Sequence, residues 1–191
     1  MKTMPLGARQ QFVTSNALSY LRELGLAIPT TGNQGGTLLV SGAVALARTS
    51  NPNPDTTVGG SYGLSYPALA ASARAKGEAW VYGLRQDADV RSNLAIADAR
   101  IGGGSVSYVI DVFDADTGST TPIRTLTLPL AGGQWWQFSG ILWDAGITHG
   151  YVRVRPASGA SDFIVYGVVN DGPSTGSRTS DGSYIPMVVI N

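Results

Sequence analysis

Acidic side chains gather at one turn of the sequence, where they resemble the beginning of a calcium-binding loop. Asp111 is followed by Asp114-Ala115-Asp116-Thr117-Gly118, and closely spaced carboxylate oxygens are the ligands that Ca²⁺ prefers. The later acidic residue that completes such a loop is missing, and Asp and Gly also favour tight turns through their own backbone preferences. We therefore predict no metal site and keep calcium near Asp114 and Asp116 as the alternative.

A serine nucleophile is suggested by Gly59-Gly60-Ser61-Tyr62-Gly63, which has the spacing of a nucleophile elbow. That motif requires a strand before the serine and a helix after it, whereas here a loop rich in Pro, Asn and Thr precedes Ser61 and an aromatic strand follows. The chain has no Cys and one His, His149. Neither glutamate, Glu23 or Glu78, has a second acid at a spacing useful for glycoside hydrolysis. The sequence predicts no enzyme, no catalytic residue and no cofactor.

Aromatic residues are the strongest candidates for ligand binding. Trp135 lies in a predicted strand, and Trp143 and Tyr151 follow it. Exposed aromatic rings stack on sugar rings and also anchor protein partners. Trp135, Trp143 and Tyr151 are therefore the predicted ligand-binding residues. The alternative is an ordinary surface aromatic covered by residues 1–75.

Polar residues alternate along one predicted strand as Asp87, Asp89, Arg91 and Asn93. They form either a polar binding strip or a network of cross-strand ion pairs and hydrogen bonds that fixes the strand register. The second interpretation is favoured.

Charge and composition exclude several classes of protein. The 191 residues include 13 Lys and Arg and 13 Asp and Glu, so the formal net charge is zero, and nothing would neutralise a run of nucleic-acid phosphates. No apolar run is long enough for a transmembrane helix. The first residues lack the apolar segment of a signal peptide, so we expect either a cytoplasmic protein or a leader that lies outside this sequence.

The dominant hydrophobic period is two, which indicates strands with one dry and one wet face. Helix is scarce: Ser15–Leu24, ended by Gly25, is the best candidate, and Ser139–Gly146 is a weaker one. The pattern predicts an all-β, antiparallel, jelly-roll-like β-sandwich with one or two short helices. The predicted strands are Trp80–Arg85, Ser92–Ala97, Ser105–Asp114, Ile123–Leu128, Tyr151–Arg155 and Asp162–Tyr166.

An internal repeat divides the chain unequally. Landmarks such as Pro5-Leu6, Gly25-Leu26 and Gly60-Ser61-Tyr62 reappear in order as Pro129-Leu130, Gly146-Ile147 and Gly182-Ser183-Tyr184. We predict a complete β-sandwich module at residues 80–191 and the second half of another module at residues 1–75. Half a sandwich exposes its apolar face and its strand edges. We therefore expect residues 1–75 to pack on the rest of the chain or to be completed by a neighbouring chain.

The repeat also predicts how two adjacent tryptophans are oriented. Trp135 and Trp136 face opposite sides of their strand. Trp136 aligns with Phe12, an aromatic in both copies, whereas Trp135 aligns with Gln11. We expect Trp136 to be a buried core anchor and Trp135 to be the more exposed of the two.

The segment Arg91-Ser92-Asn93-Leu94 and the ending Gly182-Ser183-Tyr184-Ile185-Pro186 resemble a β-rich repeat module of large secreted or cell-surface bacterial proteins. In that family an Arg-(Ser/Thr)-Asn-Leu strand opens the unit and a Tyr/Phe-Ile/Val-Pro strand closes it. The resemblance covers residues 80–191, and residues 1–75 match the second half of the module. It implies an extracellular or cell-surface setting and no particular activity.

These features predict a non-catalytic extracellular module that acts in adhesion, spacing or assembly. The first alternative is a carbohydrate-binding module that uses exposed aromatics, and the second is a strand-exchanging assembly subunit. The expected partner is a protein or polysaccharide surface, or a second copy bound through residues 1–75. Nucleic acid and membrane insertion are not expected.

Overall fold

The structure is a computed structural model that describes residues 2–32, 35–53, 57, 59–174, 178–179 and 181–190. The chain divides into two compact units, Met1–Gly35 and Gly36–Asn191. This division lies well before the predicted boundary between residues 75 and 80, because the hairpin within residues 46–67 belongs to the second unit. That residues 1–75 are half of a repeat module stays a prediction.

The first unit contains the helix α1 (Ala17–Glu23). Its N-cap is Asn16, one residue after the predicted start at Ser15, and the Asn16 side chain accepts a hydrogen bond from the Ser19 amide at 2.9 Å. Gly25 ends the helix with φ of 80°, a left-handed conformation that glycine adopts without strain. No residue of α1 is buried. Within the described residues, no helix is long and apolar enough to cross a membrane.

The second unit is an all-β sandwich, as predicted. Among the described residues its strands form a two-stranded sheet (β1-β2), a four-stranded sheet (β10-β9-β4-β7) and a five-stranded sheet (β11-β3-β8-β5-β6), and all pairs are antiparallel. The strands are β1 (Leu46–Pro52), β2 (Ser61–Pro67), β3 (Glu78–Arg85), β4 (Val90–Asp98), β5 (Val106–Asp114), β6 (Arg124–Leu130), β7 (Trp135–Phe138), β8 (His149–Pro156), β9 (Phe163–Asp171), β10 (Gly182–Pro186) and β11 (Val188–Ile190).

Two short 3₁₀ turns join these strands, at Ala71–Ala73 and Trp143–Ala145. The second replaces the predicted helix at Ser139–Gly146, because Gly146 takes a left-handed conformation with φ of 71° and stops the turn.

The core lies between the four- and five-stranded sheets, and it follows from the period-two pattern. In β8, Val152 and Val154 are fully buried while Arg153 between them faces outward. Leu94 and Ile96 of β4 meet them from the opposite sheet in one hydrophobic cluster. Alternation in each strand therefore places one apolar face in the shared core.

The hairpin β1–β2 forms a third layer on the outer face of the four-stranded sheet. Leu64 of β2 is only 7% exposed, and the Gly63 amide donates to the Asp181 carboxylate at 3.0 Å. The Tyr66 ring contacts the Tyr166 ring edge to face, with centroids 5.9 Å apart. Because of this cover, β4 is buried on both faces from Arg91 onward.

A buried polar cluster joins the two large sheets at one end of the sandwich. The Tyr108 hydroxyl of β5 lies 3.0 Å from the Asp98 carboxylate of β4 and 3.0 Å from the Ser161 hydroxyl. Arg100 also contacts Asp98, with Nη2 2.7 Å from Oδ2. Burial raises the pKa of Tyr108 to about 12. Burial also acts to raise the pKa of Asp98, but the hydrogen bonds from Arg100 and Tyr108 outweigh it and hold that pKa below its ordinary value.

Candidate functional site

Four aromatic rings form a compact cluster across strands on the outer face of the five-stranded sheet, and we call this cluster the aromatic ladder. Trp80 stacks on Tyr82 with centroids 5.8 Å apart, and Tyr82 stacks on Tyr151 at 5.5 Å. Tyr151 stacks in turn on Phe113 at 4.9 Å, with planes only 3° from parallel. The Trp80 ring also contacts the Phe113 and Tyr151 rings, with centroids 5.5 and 5.9 Å apart. The ladder therefore crosses three neighbouring strands, β3, β8 and β5.

Strand alternation explains why these rings face outward. Val81, Val152 and Val112 are fully buried in the core, so the residues beside them in each strand point to the other side of the sheet. The register then sets Phe113 directly opposite Tyr151. Cross-strand aromatic pairs of this kind stabilise a sheet.

A β-bulge between Val81 and Leu84 shapes one end of the ladder. Gly83 within the bulge has φ of 77°, which an L-residue with a side chain rarely adopts. The extra residue returns Leu84 to the core, where it is 1% exposed, and leaves Tyr82 on the outer face.

Charged groups beside the ladder neutralise one another. The Arg153 guanidinium lies 5.5 Å from the centre of the Trp80 ring, a cation–π contact. Its Nη2 lies 2.8 Å from Oδ2 of Asp111, and Nη2 of Arg155 lies 3.7 Å from the same oxygen. Burial acts to raise the pKa of Asp111, but the hydrogen bonds from Arg153 and Thr125 and the charge of Arg155 outweigh it and lower that pKa. The Asp111 carboxylate is therefore held in ion pairs with Arg153 and Arg155.

The four rings of the ladder differ in exposure. Tyr82 is 46% exposed, Trp80 and Tyr151 are half-buried, and Phe113 is buried at 3%. The Trp80 indole donates to Glu78 at 2.6 Å, which holds the ring in place. Such a surface can offer rigid rings to a ligand that stacks on aromatics.

Of the three predicted ligand residues, only Tyr151 belongs to the ladder. Trp135 faces outward from the four-stranded sheet, on the opposite side of the sandwich, where its Nε1 donates to the Tyr166 hydroxyl at 3.1 Å. Trp143 lies in the turn after β7 and is 68% exposed. The three residues do not share one surface, so a single platform does not form. That each contacts a ligand stays a prediction.

The predicted exposure of the adjacent tryptophans is wrong. Trp136 is 52% exposed whereas Trp135 is half-buried. Their alternation is as expected, since Trp136 pairs with the core residue Ile96. However, β7 is the last strand of its sheet, so Trp136 has strand neighbours on one side only. Phe12, its counterpart in the proposed repeat, is also 45% exposed, so neither residue anchors a core.

The carboxylates of the acidic turn already contact other groups of the protein. Asp111 pairs with arginines, Oδ1 of Asp114 accepts the Asp116 amide at 2.9 Å, and Asp116 lies 3.0 Å from His149 Nδ1. Across the residues that the structure covers, no group of three or more His, Cys, Asp or Glu side chains could hold a metal ion.

The serine of the elbow-like motif does not have the surroundings of a nucleophile. Ser61 is the first residue of β2 and is exposed. A strand follows it instead of the helix that the motif requires.

The polar strip is divided between a turn and a strand. Asp87 lies in the turn before β4, where its Oδ1 accepts the amides of Asp89 and Val90. Arg91 is 6% exposed and its Nη1 donates to three backbone carbonyls, with Ser174 nearest at 2.9 Å. These contacts agree with the network interpretation. Asn93 instead reaches the space below the hairpin.

The sequence pattern did not predict that Trp80, Tyr82 and Phe113 belong to one surface. The signal was present, because Trp80 and Tyr82 flank Val81 in a period-two strand. What was missing was the pairing of β3, β8 and β5, which sets the rings side by side.

Comparisons of the chain with protein-family models, with curated proteins and with solved structures found no match.

Proposed function

We propose that this protein is a non-catalytic, extracellular β-sandwich module that acts in adhesion by binding a neutral polysaccharide at the aromatic ladder. The observation that carries the proposal is the cluster of aromatic rings on the outer sheet face, in which Tyr82 is the most exposed ring. Exposed aromatic rings pack against the apolar C–H surfaces of sugars, so the open part of the cluster can hold a sugar unit of the chain.

The charges around the ladder favour a neutral ligand over an acidic one. Arg153 forms ion pairs with Asp111 and Glu78, and Arg155 forms one with Asp111, so the positive charges beside the ladder are neutralised by nearby carboxylates. An acidic polysaccharide would have to compete with these carboxylates for the guanidinium groups. The extracellular setting rests on the resemblance to secreted repeat modules.

Sedimentation with insoluble neutral polysaccharides tests the proposal. The full chain is mixed with cellulose, chitin and insoluble xylan, and the protein left in solution is measured. We expect retention on at least one of them, and binding at least tenfold weaker for Tyr82→Ala, because one stacked ring contributes about 1.4 kcal/mol.

Trp136→Ala is the matched control, since Trp136 is equally exposed but lies on the other sheet. It should bind as the wild type does. Retention on no polysaccharide would refute the proposal, as would equal binding by Tyr82→Ala and the wild type.

A further inference from the structure

A cleft of about 140 Å³ lies between the hairpin β1–β2 and the outer face of the four-stranded sheet. We call it the amide cleft because carboxamide side chains line it together with tyrosines. The carboxamides and tyrosines of the lining are Asn93, Gln137 and Asn170 from the sheet and Asn51, Tyr62 and Tyr66 from the hairpin. It is on the opposite side of the sandwich from the aromatic ladder, and it was not among the predicted sites.

Two buried asparagines each direct an unused polar atom toward this cleft. Asn93 and Asn170 are both 8% exposed. Oδ1 of Asn93 accepts the Gly140 amide at 3.2 Å, and Nδ2 of Asn170 donates to the Val168 carbonyl at 3.3 Å. Within the described residues, the Asn93 Nδ2 donor and the Asn170 Oδ1 acceptor have no protein partner. Neither atom is among the buried side-chain atoms that lack a partner, so both are accessible and can hydrogen-bond a ligand in the cleft.

The strand register keeps the donor and the acceptor close together. Arg91 pairs with Asn170 and Asn93 pairs with Val168, so Asn93 and Asn170 are diagonal neighbours on one face. Such neighbours lie about 7–8 Å apart at their backbones. A ligand whose hydrogen-bond acceptor and donor are about one ring diameter apart can bind to both the Asn93 donor and the Asn170 acceptor.

The lining of the cleft is uncharged. No Asp, Glu, Lys, Arg or His is among the described residues that line it. Burial raises the pKa of Tyr66 despite a hydrogen bond with Thr49, so its phenol stays neutral at physiological pH. The ligand that fits this surface carries no charge.

The size and walls of the cleft narrow the ligand class further. Its volume is well below the roughly 300–1,000 Å³ of sites for drug-sized molecules, so it accommodates about one small ring. Tyr62 and Tyr66 supply aromatic walls, and Tyr66 is held by edge-to-face contacts with Tyr166 and Tyr184. Carboxamides combined with aromatic walls suit a ring that has hydroxyl groups at its edge and C–H groups on its faces.

We propose that the amide cleft binds a single neutral sugar ring, with Asn93 Nδ2 donating to one hydroxyl oxygen and Asn170 Oδ1 accepting from another hydroxyl. The proposal does not depend on the aromatic ladder, because the two surfaces share no residue.

Titration of the ¹⁵N-labelled full chain tests this proposal by NMR. The probes are glucose, galactose, mannose and N-acetylglucosamine, with anionic glucuronate as the charge control. We expect the side-chain NH₂ signals of Asn93 and Asn170 to shift with at least one neutral sugar and not with glucuronate. No shift with any neutral sugar, or equal shifts with glucuronate, would overturn the proposal.

Variants assign the binding to the cleft. Asn93→Asp keeps an oxygen for the Gly140 amide but removes the Nδ2 donor, and we expect at least tenfold weaker sugar binding. Gln137→Ala keeps the test decisive if Asn93→Asp does not fold. Tyr82→Ala should leave sugar binding in the cleft unchanged. Wild-type affinity in both cleft variants would refute the proposal, while leaving the polysaccharide assay of the ladder unaffected.

Discussion

Replacing Tyr108 with phenylalanine probes the polar cluster that joins the two large sheets. The substitution keeps the buried ring but removes a hydroxyl that lies 3.0 Å from both Asp98 and Ser161. A hydrogen bond to a charged group contributes about 1.5–3 kcal/mol, and Ser161, which is 5% exposed, loses the same partner. We expect Tyr108→Phe to lower the free energy of unfolding by about 2–3 kcal/mol at pH 7. With a urea m-value of about 2 kcal/mol/M, the midpoint should fall by about 1–1.5 M.

The pH dependence of this loss gives a second test. The folded-state pKa of Asp98 is below its ordinary value, so its stabilising contribution is present above the unfolded-state pKa of about 3.9 and is lost as the pH falls through the folded-state value. The difference between wild type and Tyr108→Phe should therefore shrink in strong acid, where Asp98 is protonated.

Urea unfolding followed by tryptophan fluorescence measures both effects, since all four tryptophans lie in the second unit. Tyr82→Phe is the matched control. Its exposed hydroxyl has no hydrogen bond among the described residues, so we expect a change below about 0.5 kcal/mol. A Tyr108→Phe variant as stable as this control, or a loss that is the same at pH 7 and in strong acid, would refute the reasoning.

Two further predictions concern packing and metal binding. Gly167→Ala should destabilise the protein by about 1–3 kcal/mol in the same urea assay, because its Cβ would lie 2.7 Å from a Leu84 methyl, whereas Gly77→Ala, with no atom within 4 Å, should have little effect. Millimolar Ca²⁺ should not raise the Tm relative to EDTA, because Asp111 is already paired with Arg153; a clear rise in Tm would instead favour a calcium loop at the acidic turn.

Strand positions could be predicted where one face of the strand is apolar. The strands β3 to β6, β8 and β9 all carry the period-two pattern, because each contributes one face to the shared core. The strand β1 carries no such pattern, and all of its residues are exposed. Its sequence therefore looks like a loop, and only its pairing with β2 reveals it as a strand.

Side-chain exposure could not be predicted where it depends on the order of strands in a sheet. Trp136 is placed by strand alternation on the core-facing side of β7, but β7 is the edge strand of its sheet, so the Trp136 ring stays exposed to solvent. The aromatic ladder has the same origin. Trp80, Phe113 and Tyr151 are far apart in sequence, and they meet because β8 lies between β3 and β5. Strand order is set by long-range packing, which local periodicity does not encode.

The two outer faces of the sandwich differ because only one of them carries the hairpin. On the four-stranded sheet the hairpin covers Asn93 and Asn170, and their amides line a small uncharged space. On the five-stranded sheet the rings stay partly open and the ion pairs are satisfied beside them. Tyr82→Ala and Asn93→Asp act on these separate faces without shared contacts, so their effects on stability should add. A double variant that departs from additivity by more than about 0.5 kcal/mol would show that the faces are coupled through the core, and the two binding tests would then no longer be independent.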